Sequence, residues 1–410
     1  MKGSVVNHAQ PTTVEGASQA LPRMDRRLVW IMALACGLTA ANLYYSQPIL
    51  VDMGKSFAVS VDQMGIIATL GQLGYAAGLL FIVPLGDSYN RRSLIVGSLI
   101  AVTLALIAMA LAPNVTLLAV ASLLVGITTV VPQIIIPFAA SLAPAHERGR
   151  VLGIVMSGLL IGILLARTVS GFISAQLGWQ AVYWLAAALM VLLTVILRFM
   201  LPADHPQTSM SYPQLLRSLW GLLRQEPVLR ETCVMGAMVF GAFSAFWVTL
   251  AFFLETPPYH YGSAVAGAFG LVGVVGALAA SFVGKLADRI EARRIIGMAV
   301  LIVLLAFGIF ELFGHALWGL IVGVILLDLG AQSNQVSNQA RIYSLNPLAR
   351  NRINTVYMVA FFVGGSLGSV LGSYGWSIAG WTGVCLVGGA MLLTALIVYG
   401  LNSWRRARAV

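Results

Sequence analysis

The feature that most constrains this chain is the spacing of its charges. They gather in short knots, and between the knots lie apolar stretches of about twenty residues, long enough to cross a bilayer as helices. Twelve stretches are read, at 28–50, 63–84, 92–112, 116–140, 151–174, 179–200, 230–254, 262–284, 295–313, 316–340, 353–374 and 379–401. Hydrophobic residues make up 59% of the chain and charged residues 9%, a balance no soluble core of this size needs. In hydrocarbon every backbone N–H and C=O must be paired within its own segment or around a closed barrel. The polar–apolar alternation of a membrane β-strand is missing. The predicted fold class is therefore an all-α membrane protein with twelve transmembrane helices. Its 42 glycines fit that reading, because glycine lets membrane helices approach closely.

The basic residues predict orientation. Arg23, Arg26 and Arg27 precede the first span, and Arg91 with Arg92 separates the second from the third. Arg148 and Arg150 follow the fourth, Arg217 and Arg224 lie in the central loop, and Arg289, Arg293 and Arg294 follow the eighth. Arg350 and Arg352 follow the tenth, and Arg405, Arg406 and Arg408 come last. The opposite loops carry only Lys55. The positive-inside rule then places both termini in the cytoplasm of a multi-pass protein of the cell membrane, the inner membrane of a bacterium. The net charge of +10 orients the chain and attracts anionic lipid, so no nucleic-acid partner is expected. The first stretch is too long for a signal peptide and is expected to stay as a helix.

Cys36, Cys233 and Cys385 fall inside apolar spans and read as small core residues. Glu255, His260, Glu311 and His315 sit near outer span ends at spacings too loose for a metal site. No phosphate-binding glycine loop and no nucleophile–base motif occurs. The expectation is a protein that is not an enzyme, with no cofactor and no metal, acting as a monomer.

The longest polar stretch divides the chain. The expected organisation is a tail at 1–27, a six-helix bundle at 28–200, a linker at 201–229, a second six-helix bundle at 230–401 and a tail at 402–410. Within the linker, Ser211 and Pro213 read as a helix start, and Leu215, Leu216, Leu219, Leu222 and Leu223 follow at helical spacing, an amphipathic helix on the membrane surface. The two bundles echo each other. Asp87 is followed by Arg91 and Arg92 after the second span, and Asp288 by Arg289, Arg293 and Arg294 after the eighth. Ser141-Leu-Ala-Pro144 precedes Arg148 and Arg150, and Ser344-Leu-Asn-Pro347 precedes Arg350 and Arg352. Two six-helix repeats are an architecture of secondary transporters.

These loops resemble the signature of the major facilitator superfamily, Gly-x-x-x-Asp-Arg-x-Gly-Arg-Arg. The second copy keeps Gly284, Asp288, Arg289, Arg293 and Arg294 with one residue inserted; the first keeps Asp87, Arg91 and Arg92 but has Val83, Ser88 and Asn90 at the other positions. An aspartate at a helix end beside an arginine can form a charge-assisted hydrogen bond, so Asp87, Arg91, Arg92, Asp288, Arg289, Arg293 and Arg294 are expected to latch the cytoplasmic side. Within the superfamily the twelve-helix proton-coupled drug antiporters look nearest. Their fifth-span motif, Gly-x-x-x-Gly-Pro-x-x-Gly-Gly, is altered here to Gly162, Ala166, Arg167, Ser170 and Gly171, which weakens an assignment to drug export and puts a cation in the membrane.

Two charges lie well inside spans, Arg167 in the fifth and Asp328 in the tenth. A charge near the bilayer centre costs about 3 kcal/mol or more and faces a cavity or a partner. The two are expected to pair or to share one aqueous cavity, with Asp328 as a proton or substrate site; the alternative is a structural polar contact for each. Asp328, Gln332 and Gln335 share a helical face. Asn42 and Tyr45 in the first span, Gln133 in the fourth and Trp247 in the seventh complete a candidate substrate cavity, and the resemblance implies that spans one, four, seven and ten line it. Tyr45 and Trp247 equally suit interfacial anchors. The expected function is a secondary transporter for a small organic solute, driven by protons and exporting it. The alternatives are a uniporter or symporter for a sugar or organic acid, with Arg167 binding a carboxylate, and a receptor without transport.

Overall fold

A computed structural model of the protein describes residues 25–144, 146–203, 211–287, 291–346 and 349–407. Among these, nine helices are long and apolar enough to span a bilayer. The last, α15 (Arg350–Ala407), contains two spans, because it breaks at Ala379 and Gly380. Gly380 has φ 58° and ψ −139°, a conformation open only to glycine, and there the chain turns back. The first span and the shorter apolar stretch of the eighth complete the twelve.

The first span, in which Pro48 was expected to bend the helix, is broken outright. Its helix α1 (Arg26–Ala41) stops, the chain turns through 42–46, and a 3-10 turn (Gln47–Ile49) leads into α2 (Leu50–Phe57). Pro48 is the cause: it has no N–H to donate, and its ring displaces the carbonyl one turn back. The second span is α3 (Val61–Phe81), followed by the single turn α4 (Leu85–Ser88), and the third is α5 (Arg91–Ala110). The fourth divides into α6 (Val115–Thr128) and α7 (Val131–Leu142), again just before a proline, Pro132. The fifth and sixth, α8 (Arg148–Leu177) and α9 (Trp179–Met200), complete the first half.

The linker helix α10 (Tyr212–Gln225) starts at a capping box formed by Ser211 and Gln214 and buries Leu215 and Leu219. Tyr212 donates from its hydroxyl to the Phe81 carbonyl, tying the linker to the first half. The second half comprises α11 (Pro227–Glu255), α12 (Ser263–Ala287), α13 (Ala292–Phe313), α14 (Leu317–Tyr343) and α15. Helix α11 is enclosed along almost its whole length. Its Gly241 faces Gly368 of α15 so closely that the two backbones touch.

The halves meet along two seams. On one, α3 packs against α15: Tyr75 and Phe362 lie 4.4 Å apart, and Ser366 Oγ donates to the Thr69 carbonyl. On the other, α8 meets α12, where a Cβ at Gly267 would lie 2.5 Å from the Arg167 carbonyl oxygen. Arg91, Arg148, Arg350 and Arg352 share the end where α10 lies, the basic end. At the opposite end Lys55 and Glu255 form an ion pair between the halves.

The Gly241–Gly368 contact leaves no room for a methyl group. Gly368→Ala is expected to lose about 1–3 kcal/mol by overpacking. Gly389→Ala, where an added Cβ meets nothing within 4 Å, is expected to be neutral or stabilising. Thermal unfolding of the detergent-purified protein compares the two.

Candidate functional site

A cavity of about 200 Å³ lies between the halves, and it is organised around Arg167 of α8. Arg167 is 1% exposed. Its Nε donates to Gln47 Oε1 at 2.7 Å, so the 3-10 turn that follows the break in the first span serves as its anchor. Its guanidinium stands over the rings of Trp247 at 4.1 Å, Tyr44 at 5.0 Å and Phe243 at 5.7 Å. Three π faces stabilise a desolvated cation without neutralising it. Nη2 of Arg167 has no hydrogen-bond partner.

Asp328 of α14 lines the same cavity and is also 1% exposed, and its Oδ2 has no partner either. Helix α12 passes over it with glycines: a Cβ at Gly273 would lie 3.0 Å from Oδ2, and one at Gly276 would lie 2.9 Å from Asp328 Cβ. Arg167 and Asp328 belong to different halves, form no ion pair and both line this cavity. Buried polar groups are almost always satisfied, so two charged side chains with an atom left unpartnered among the described residues stand out.

Gln133, Gln332 and Gln335 line this cavity as well. Gln133 Nε2 reaches the Tyr75 hydroxyl at 3.4 Å. The structure corrects three other expectations. Asn42 turns into the first half, where its Nδ2 contacts Met190 Sδ at 3.4 Å. Tyr45 borders a lipid-side groove between α1, α8 and α9. Trp247 lies behind Arg167 instead of at the cavity wall, with its Nε1 buried and unpartnered. Tyr44 takes the place expected for Tyr45, because the turn before Pro48 rotates the chain. Only the Pro48 signal pointed to that change.

A second space, about 560 Å³, opens at the basic end and is lined by Asp87, Arg91, Arg148, Arg350 and Arg352 among others. It shares Gln133, Ile136, Tyr343, Asn354 and Met358 with the inner cavity, so the two form one path from the basic end to Arg167. At the opposite end Lys55 pairs with Glu255 across the two halves, while Ser174 Oγ donates to Asp52 Oδ2 at 2.5 Å within the first half and Phe253 stacks on Trp381 at 3.9 Å within the second.

The latch arginines act within each half in this state. Arg91 is buried, donates from Nε to the Gly86 carbonyl at 3.0 Å and from Nη1 to Ser141 Oγ at 3.2 Å, and lies 3.7 Å from Asp87. Arg92 donates to the Arg198 carbonyl. Arg294 makes only an exposed contact, 3.8 Å, with Glu291. Asp288 and Arg289 lie outside the described residues. Arg293 reaches Glu231 Oε1 at 3.2 Å, and Arg341 reaches its Oε2 at 2.8 Å. Sequence reasoning missed Glu231 because it falls in the first residues of a span, where a charge looks solvated; it is 4% exposed. One acid joins α11, α13 and α14. Among the described residues no group of three or more His, Cys, Asp or Glu is placed to hold a metal ion.

Removing one partner from a buried ion cluster strands the others, at a cost of about 3–5 kcal/mol. Glu231→Gln is expected to lower the thermal unfolding temperature of the purified protein far more than Glu291→Gln does. Equal melting temperatures would count against a structural role for the cluster.

Comparison with known proteins fits this architecture. The family model for the Major Facilitator Superfamily matches residues 32–330 and 268–409. The chain is 40% identical over 379 residues to the uncharacterized transporter YgaY of Escherichia coli O157:H7, covering 92% of this chain and 95% of that one. It is 36% identical to the probable transporter SCO4007 of Streptomyces coelicolor, covering 92% and 87%. Among solved structures, a peptide transporter POT in complex with alafosfalin superposes with a TM-score of 0.75 at 14% identity, over 92% of this chain and 94% of that one, a likeness of fold. The match along nearly the whole chain shows that the protein belongs to the Major Facilitator Superfamily and is a secondary transporter, not an enzyme.

Proposed function

We propose that the protein carries a small organic solute across the membrane by alternating access and that Asp328 couples the movement to protons. The observation that carries this reading is the pair of charged side chains, each with an unpartnered buried atom (Arg167 Nη2 and Asp328 Oδ2), that line one cavity between two halves. Each half supplies one of them, so the rocking that opens the opposite end also changes the distance between them. With the basic end in the cytoplasm, the arrangement described is inward-open. Closing that end would carry Asp87 across the vestibule toward Arg352, a residue of the other half that lines the same space, and there the signature aspartate would act as a latch.

Export was expected from the resemblance to drug antiporters, whose fifth-span motif this chain breaks at Ala166, Arg167 and Ser170. The free edge of the Arg167 guanidinium favours a second reading, symport of an organic acid.

In proteoliposomes holding a pH-sensitive dye, at least one solute of a broad panel is expected to move protons. Asp328→Asn is expected to reduce that movement at least tenfold at matched protein content. Undiminished proton movement in this variant would remove Asp328 from the mechanism. Orientation has its own check: an impermeant thiol reagent applied to intact cells should label cysteines placed at Lys55 or His260 and spare those at Arg148 or Arg217. The native cysteines are buried and give little background.

A further inference from the structure

The cavity is small, singly cationic and walled by rings, and these properties narrow what it holds. Its volume, about 200 Å³, suits a small solute beside Arg167, and the larger vestibule continues from it. Among the described residues that line it, Arg167 is the only cation. With Nε committed to Gln47, Nη2 of the guanidinium is left buried and without a hydrogen-bond partner among the described residues. A guanidinium edge is suited to a carboxylate. A dianion would need a second cation, and none lines the cavity. Phe240, Phe361 and Phe362 offer apolar faces for the body of the solute, and Gln133, Gln332 and Gln335 offer amides for a polar substituent.

Charge balance then sets what travels with the solute. With Asp328 ionised and the cavity empty, the charges of Arg167 and Asp328 cancel. A monocarboxylate on Arg167 adds a negative charge beside two side chains that are each only 1% exposed, and an uncompensated buried charge weakens binding by orders of magnitude. One proton on Asp328 restores neutrality. The other titratable groups lining the cavity are the phenols of Tyr44, Tyr75 and Tyr343, none of which supplies a second acid near neutrality. Helix α12 faces Asp328 with Gly273 and Gly276, α11 brings Phe240 and Phe243 to the cavity, and α13 packs Val303 against Gly330 in the turn after Asp328.

We propose that the cavity binds a small aromatic or aliphatic monocarboxylate on Arg167 together with one proton on Asp328. This rests on the transport reading above and specifies its substrate class and stoichiometry. Solute and proton then cross in the same direction, as an electrically neutral load.

The test uses the full-length purified protein, with benzoate, phenylacetate and butyrate as probes and benzamide as the uncharged match for benzoate. Binding of at least one carboxylate is expected in weakly buffered solution, with uptake of about one proton per molecule bound. Benzamide at a hundredfold excess should fail to compete. Arg167→Gln should weaken binding at least a hundredfold, and Arg167→Lys, which keeps the charge, should weaken it less. Asp328→Asn, already neutral, should bind the carboxylate with no proton uptake and with affinity independent of pH. Binding without proton uptake in the unmodified protein, or equal binding of benzamide, overturns the inference. So does the failure of all three carboxylates to bind. If another solute then drives proton movement that depends on Asp328, the transport reading stands while the substrate class falls. If a carboxylate binds with its proton but never crosses the vesicle membrane, the site stands and the transport reading falls.

Discussion

A guanidinium held in hydrocarbon has to be surrounded, and much of the centre of this protein does that. Arg167 donates its hydrogen bond to Gln47 in the broken first span, and finds its ring contacts in Tyr44, Phe243 and Trp247 of the first and seventh. Tyr44 lies in the turn after α1 and Gln47 opens the 3-10 turn that contains Pro48, and the i, i+3 spacing puts both on the side of Arg167. The altered motif of the fifth span, the proline-induced turn and the aromatic seventh span are therefore parts of one solution. Each of them looks like an isolated irregularity in the sequence.

Asp328 faces a different problem and has a different answer. It is buried without a partner: the neighbouring helix is stripped to glycine at Gly273 and Gly276, so its backbone lies close against the carboxylate and offers it no side chain. A cation fixed by its surroundings and an acid without a partner are the division of labour that the proposed coupling needs, with one group that keeps its charge and one that can change it. Distance between the halves then becomes an electrostatic variable, since Arg167 rides on one and Asp328 on the other.

The fold was largely legible in the sequence, because hydrocarbon imposes a length and a lack of charge that a linear scan detects. Fold class, span number and the two buried charges all follow from that. What was not legible is rotation and depth. The turn before Pro48 exchanges Tyr44 for Tyr45 at the cavity: the proline announces a bend, but not how far the chain rotates through it. Trp247 shares its face with cavity residues yet stands behind Arg167. Glu231 sits at the mouth of its span and looks solvated until α13 and α14 are seen to close over it with Arg293 and Arg341. Pairing between Arg167 and Asp328 depends on how two halves dock, which no local pattern encodes.

The seam between α8 and α12 has a consequence for how the protein moves. Where Gly267 lies against the backbone at Arg167, main chain meets main chain, and Thr168 Oγ1 of α8 donates to the Gly267 carbonyl at 3.0 Å. Parting the surfaces at that point breaks this hydrogen bond but pulls no side chain of Gly267 out of a socket. The contact works as a bearing with a catch: it sets how near the halves can come, and one short polar contact holds them until the charges in the cavity and at its rims favour the other end.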